Sequence, residues 1–392
     1  MSEDLDRLSA RWHYPTSVRF GVGCIAELAR ACRGLGMSRP LLVTDPGLAR
    51  LPMVGDAVAA NESAGVPTAV FSDVKGNPVK RNVDDGLAVF RGGGHDGVIA
   101  FGGGSALDAG KTIALMAGQK GSLWDYADVD GKWKGIDAGA MAPVVAVPTT
   151  SGTGSEVGRA AVIIDEATHT KRILYHPAMM PGTVIADPAL VAGLPPHITA
   201  ATGMDAFAHC LEAYSAAQYH PMADGIALEG MRLVREWLPV AVLDGANLTA
   251  RAHMMAAATM GATAFQKGLG AIHALSHPVG AVYDTHHGLT NAVFMPYVLA
   301  FNRDAIAGRM ERLARYLNLP DPSFSGVMDW VLALRAELDI PHTARELGVE
   351  EDRLDELSEM AARDPTGVDN PVPVGAPELK RIYEAAFAGR VG

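Results

Sequence analysis

Short, continuous apolar runs alternate with amphipathic stretches over the first half of the chain. Pro40-Leu-Leu-Val-Thr-Asp45, Ala69-Val-Phe-Ser-Asp73, Gly97-Val-Ile-Ala-Phe101 and Val144-Val-Ala-Val147 read as strands. Helical patterns fall between and after them, near residues 53–64, 83–91 and 105–116. Strands that are apolar on both faces and separated by helices predict a parallel sheet covered on both sides. Residues 160–165 and 171–175 read as a hairpin appended to that sheet.

After Asp187-Pro188 the pattern changes, and Pro195-Pro196 marks a break. Strand patterns become scarce. Ala/Leu/Met-rich helical stretches follow over 201–217, 222–237, 250–265, 272–276, 306–316, 324–338, 351–363 and 377–388. The expected fold class is therefore α/β plus all-α, with an α/β domain over 1–190 and an all-helical domain over 191–392. A cleft between two such domains is a favoured ligand position.

Composition narrows the function. A chain of 392 residues is too long for one ordinary core, and 48% apolar residues describe a globular protein. The net charge of −11, with no Lys/Arg run, argues against nucleic acid or an anionic membrane as partner. Cys24, Cys32 and Cys210 form neither a metal-ligand spacing nor a disulfide framework, which suits a reducing, cytoplasmic compartment. The opening MSEDLDRLSARW lacks the apolar core of a signal peptide, and no apolar run reaches the roughly 18 residues of a membrane span.

Two glycine-rich loops follow strands. Gly102-Gly103-Gly104-Ser105 opens a helix, where glycines let backbone N–H groups approach an anion and the helix N-terminus favours negative charge. It departs from the G-x-G-x-x-G fingerprint, because Leu107 stands at the third glycine and the acidic strand-end residue, Asp45, precedes the loop. Pro148-Thr-Thr-Ser-Gly-Thr-Gly-Ser-Glu156 adds hydroxyls and glycines at the same sheet edge.

The second half carries the metal-like chemistry. Asp205 and His209 are four apart on one helical face, and His273 and His277 repeat that spacing on a second apolar helix. Pro278 marks a kink or an end, and His287 stands on a short turn before Gly288. A single pair of this kind is usually a satisfied polar contact. Two pairs in apolar helices need partners, and one carboxylate with several imidazoles can converge on a divalent ion.

The stretches Thr202-Gly-Met-Asp-Ala-Phe-Ala-His-Cys-Leu-Glu-Ala-Tyr214, His273-Ala-Leu-Ser-His-Pro-Val-Gly280 and His287-Gly-Leu-Thr-Asn-Ala292 resemble the signatures of the iron-containing (group III) alcohol dehydrogenases. GGGS-x-x-D, TTSGTGSE, Phe20-Gly21-Val22-Gly23 and Gly76-Asn77-Pro78 extend the resemblance over nearly the whole chain. It implies a dinucleotide-binding domain followed by a metal- and substrate-binding one, the dehydroquinate synthase-like architecture. It implies Asp205, His209, His273 and His287 as metal ligands, and His277 as a non-ligand histidine of the substrate pocket. His286 is then an exposed turn residue. Asp45 would hold the adenosine ribose; Asn77, Gly103, Gly104, Ser105 and Asp108 would border the pyrophosphate; Thr149, Thr150, Thr153 and Lys171 would line the nicotinamide side. The sequence departs from the family at Val157-Gly158-Arg159 and at Val372, which follows an Asn370-Pro371 element resembling the family's terminal one. Both departures bear on substrate choice.

The implied reaction is NAD-linked hydride transfer between a small alcohol and its aldehyde or ketone on a divalent metal. A ligand set of one oxygen and three nitrogens suits Fe²⁺ and admits Zn²⁺. A carboxylate at Asp45 favours NAD over NADP, although Asp45-Pro46-Gly47 is also a good turn. The expected assembly is a homodimer, with the segment near Phe20 at its interface. The competing reading is a lyase or cyclase of the dehydroquinate-synthase type. It would need a Glu-led ligand set and basic residues for a phosphorylated acid, whereas Asp205 leads here.

Overall fold

The computed structural model describes Tyr14, residues 16–168 and residues 170–391. The amino-terminal stretch read above for a signal peptide, residues 1–12, lies outside the described residues. The described residues divide into two compact units. One holds residues 16–150, 154–168 and 170–193; the other holds Tyr14, residues 151–153 and residues 194–391.

The first unit runs β1 (Ser17–Phe20), α1 (Leu28–Gly34), β2 (Pro40–Val43), α2 (Pro52–Ser63), β3 (Ala69–Phe71), α3 (Lys80–Gly92), β4 (Gly97–Gly102), α4 (Gly104–Met116), β5 (Val144–Pro148), β6 (Ala160–Asp165), β7 (Thr170–Tyr175) and β8 (Thr183–Ala186). Six strands form one parallel sheet in the order β1-β8-β5-β4-β2-β3. The central strands β2, β4, β5 and β8 are buried along their whole length. Continuous apolar runs are what a sheet covered on both faces requires. β1 and β3 lie at the edges and expose residues, so β1 reads weakly in the sequence. The turn after β1 is held by the buried Asp187, which accepts from Gly23 N and Ile25 N at 3.1 Å each.

The β6–β7 hairpin departs from expectation. It is a separate two-stranded antiparallel sheet, not an extension of the six-stranded one. Isolated β-bridges, Val79 to Ile164 and Ala127 to Leu174, and a hydrogen bond from Val162 N to Asp108 Oδ2 link it to neighbouring segments.

The second unit is helical: α5 (Pro196–Ser215), α6 (Pro221–Leu243), α7 (Leu248–Ala264), α8 (Ala271–Tyr283), α9 (His287–Tyr316), α10 (Phe324–Glu337), α11 (Leu354–Ala361) and α12 (Ala376–Ala388). Residues 199–215 of α5 are all buried, so α5 is the central helix that α6, α7 and α9 surround. Phe207, Tyr214, Phe294 and Tyr383 fill the core, and the last two meet edge to face at 5.3 Å.

Two expectations change here. α8 does not end at Pro278 but continues to Tyr283, because Val279 and Gly280 are buried in the bundle. His287 does not stand on a turn; it is the first residue of α9, a helix of 30 residues that runs through Pro296. Burial of residues 292–299 outweighs the hydrogen bond a proline removes.

Candidate active site

Within the helical unit, α5 presents Asp205, His209 and Glu212 on one face, α8 presents His273 and His277, and α9 begins with His287. Asp205, His209, His273 and His287 each offer one ligand atom, all within 4.8 Å of one another. Asp205 Oδ1 lies 3.6 Å from His287 Nε2 and 4.0 Å from His209 Nε2. Donors about 2.1 Å from a tetrahedral ion stand roughly 3.4 Å apart, so this donor set fits a divalent cation. Asp205, His209 and His273 are at most 4% exposed.

His273 is aimed by a carboxylate neighbour. His273 Nδ1 donates to Glu212 Oε2 at 2.5 Å, which turns Nε2 toward the cluster. Burial works against charge on His273, yet the Glu212 carboxylate outweighs it and holds the imidazole above its ordinary pKa. His209 stacks on His273 with ring centroids 4.8 Å apart. Burial pulls its pKa down to about 4, against Asp205, and so keeps a lone pair available. Asn291 Nδ2 donates to Asp205 Oδ1 at 2.8 Å and lies 3.2 Å from Nε2 of both His273 and His287. Those three ligand atoms therefore already face one point.

The approach of α9 to α5 depends on a glycine. A Cβ at Gly288 would sit 2.2 Å from the Ala201 carbonyl oxygen and 2.9 Å from Asp205 Cβ. His277 stands beside the cluster rather than in it. Its Nδ1 donates to Asp364 Oδ2 at 2.7 Å, and its ring stacks on His287 at 5.4 Å. Burial alone would raise the Asp364 carboxyl, but His277 and Thr366 reverse that and hold it below the ordinary carboxylate range. His286 is exposed and caps α9 by accepting from Leu289 N.

In the α/β unit, Asp45, Gly103 and Thr149 follow the carboxyl ends of β2, β4 and β5. Gly102, at φ +151°, ends β4, and Gly103 leads into α4. The first N–H groups of a helix have no intrahelical acceptors, so Gly104 and Ser105 begin α4 with free donors. Thr149 N donates to Gly102 O at 3.0 Å, and a Cβ on Gly103 would meet Thr150 Cγ2 at 3.2 Å, so the two glycine-rich loops touch. Asp45 follows β2; its Oδ1 caps the turn by accepting from Gly47 N and Leu48 N, while Oδ2 points toward Gly102. Asn77 adopts φ +50° in the link from β3 to α3. Asp108 spends both oxygens inside the protein, on Ser155 Oγ at 2.5 Å and Val162 N at 2.8 Å, with the buried Lys111 ammonium at 3.3 Å. Lys171 lies on β7 opposite Ile164. Thr153 belongs to the helical unit.

The family model for iron-containing alcohol dehydrogenase matches residues 15–188, and the model for the C-terminal domain of the same family matches residues 199–387. The chain belongs to the iron-containing alcohol dehydrogenase family. Like its relatives, it is an oxidoreductase acting on a CH–OH group. It is 40% identical to a 4-hydroxybutyrate dehydrogenase of Cupriavidus necator over 96% of this chain and 99% of that protein. The crystal structure of a 1,3-propanediol oxidoreductase superimposes with a TM-score of 0.92 at 34% identity, over 96% of this chain and all of the other. A sulfoacetaldehyde reductase from Bifidobacterium kashiwanohense, solved in complex with NAD⁺, gives 0.87 at 28%, over 96% and 99%. These relatives are dehydrogenases and reductases, so the lyase or cyclase reading is not favoured.

Within this iron-containing alcohol dehydrogenase, residue patterns alone missed Glu212, Asp364 and Asn291. The first carries a usable signal, since Asp205, His209 and Glu212 recur with helical spacing on one face of α5. Asn291 likewise stands four residues after His287. Asp364 had none: it reaches His277 across 87 residues of sequence.

Proposed function

We propose that the chain catalyses reversible hydride transfer between NAD and a small alcohol or its aldehyde, using one divalent ion, Fe²⁺ or Zn²⁺, held by Asp205, His209, His273 and His287. The observation that carries this reading is the convergence of those four ligand atoms within 4.8 Å. When bound, the ion supplies charge that lowers the pKa of a substrate hydroxyl, and the nicotinamide supplies the hydride acceptor. Glu212 keeps His273 oriented with Nε2 toward the ion. His277, with Nδ1–H committed to Asp364, takes a proton at Nε2 and passes it toward solvent.

For the cofactor, Gly103, Gly104 and Ser105 offer backbone donors to the pyrophosphate at the start of α4, and Asn77 serves the same group. Asp108 shapes that border through Ser155 and Val162. Thr149, Thr150, Thr153 and Lys171 serve the nicotinamide side, and Asp45 uses Oδ2 for the ribose. The functional division falls at residues 190/191, cofactor before it and metal and substrate after it. A homodimer in the cytoplasm completes the reading; three free cysteines suit that compartment.

The test is to mix the protein with NAD, Fe²⁺ or Zn²⁺ and a panel of short alcohols, diols and hydroxy acids that includes 1,3-propanediol and 4-hydroxybutyrate. Reduced nicotinamide should appear only with metal. His273→Ala should lose most of its metal by elemental analysis and most of its activity. Full metal occupancy in that variant, or no turnover across the panel with loaded wild type, sinks the proposal.

A further inference from the structure

A buried polar node lies away from the metal cluster, at the opposite end of the first turn of α8. Asn370, in the carboxyl-terminal segment, and Asn302, in the middle of α9, form a reciprocal amide pair. Asn302 Nδ2 donates to Asn370 Oδ1 at 2.9 Å, and Asn370 Nδ2 donates to Asn302 Oδ1 at 2.8 Å. Asn370 Nδ2 also donates to Val372 O at 2.7 Å, and its Oδ1 accepts from Ala271 N at 3.2 Å. Next to it, Glu212 Oε1 accepts from Ile272 N at 2.7 Å while Oε2 holds His273 Nδ1. Asn302 and Asn370 are 3% and 7% exposed.

The two bonds to Ala271 N and Ile272 N satisfy two of the N–H groups that α8 leaves open at its start. A side chain at Gly270 would displace both, since its Cβ would lie 2.9 Å from Glu212 Oε1 and 3.0 Å from Asn370 Oδ1. The elements joined here are the ones that carry the cluster. Glu212 is on α5 with Asp205 and His209, Asn302 is on α9 with His287, and Asn370 shares its segment with Asp364, which holds His277. In a buried setting a reciprocal amide pair fixes one arrangement, because a slip leaves polar groups unpaired.

We infer that the Asn302–Asn370 pair is a positioning device for the metal site: it locks the entry of α8, and so the height of His273 and His277, against α5 and α9. The inference rests on the proposed metal site and extends it to residues that touch no ligand atom. Partners that orient a metal ligand commonly contribute about 10- to 100-fold in metal affinity.

The experiment measures Co²⁺ affinity by competition with a chelator, the Co²⁺ absorption spectrum, and NAD affinity, in the full chain. Asn370→Ala should raise the Co²⁺ dissociation constant about 10- to 100-fold and alter the spectrum, while NAD affinity stays within twofold of wild type. Asn302→Ser, which removes less volume, should move the same quantities the same way. Variants that bind Co²⁺ within twofold of wild type overturn the inference. So do variants that lose NAD and Co²⁺ alike or do not fold, since the pair would then be general packing. A wild type that takes up no Co²⁺, or a His273→Ala protein that binds it as wild type does, overturns the metal site itself.

Discussion

Asp45 divides its carboxylate between two tasks. Oδ1 caps the turn after β2, and Oδ2 remains on the side of the glycine loop. A charged hydrogen bond to a ribose hydroxyl contributes on the order of 1.5–3 kcal/mol, and the same charge repels a 2′-phosphate. Asp45→Gly should therefore lower the ratio of kcat/KM for NAD over NADP by at least about 10-fold. The ratio is the quantity to measure, because loss of the turn cap affects both cofactors alike; an unchanged ratio leaves Asp45 a turn residue only. His277 stands at the same scale. Its Nδ1 is spent on Asp364, as that of His273 is on Glu212, but its remaining nitrogen is not among the four ligand atoms that converge. His277→Ala should keep the metal and lose about 10²-fold in kcat. Loss of metal from this variant would move His277 into the ligand set.

The decisive element is the start of α9. Helix α9 begins at His287 and lies against α5 only because Gly288 has no side chain at the contact with Ala201 O. Overpacking of this kind costs about 1–3 kcal/mol. Gly288→Ala should lower the melting temperature of the metal-free protein, and it should also weaken metal binding, because His287 moves with the helix. Calorimetry of the apo protein and a metal titration check the two effects; a variant with wild-type melting and wild-type affinity would show that the backbone yields without cost. The spacing of α8 and α9 was only half legible in the sequence. Pro278 and Pro296 interrupt the periodic pattern, and the helices run through both because their flanking residues are buried among other helices.

At the scale of the whole molecule, metal and fold are linked. An ion that binds the native helical unit and not the unfolded chain stabilises it by about 2.7 kcal/mol at a concentration 100 times its dissociation constant. Scanning calorimetry should show a higher melting temperature with Fe²⁺ or Zn²⁺ than with chelator, and His273→Ala should abolish the difference. No shift in the wild type would mean the four residues hold no ion. No helix among the described residues is long and apolar enough to cross a membrane.

The sequence by itself determined the two-part architecture, since continuous apolar strands can only be central strands of a covered sheet and Ala-rich amphipathic runs can only be bundled helices. It also singled out Asp205, His209, His273 and His277, because helical spacing is a local property. The tertiary structure decided the rest. It brought the glycine-rich loop after β4 against the loop after β5, put Glu212 behind His273, and set Asp364 on His277 and Asn370 on Ala271. These contacts join residues that are distant in the chain. Hydrogen bonds of that kind depend on how helices and loops pack, and packing leaves no periodic mark in the order of residues.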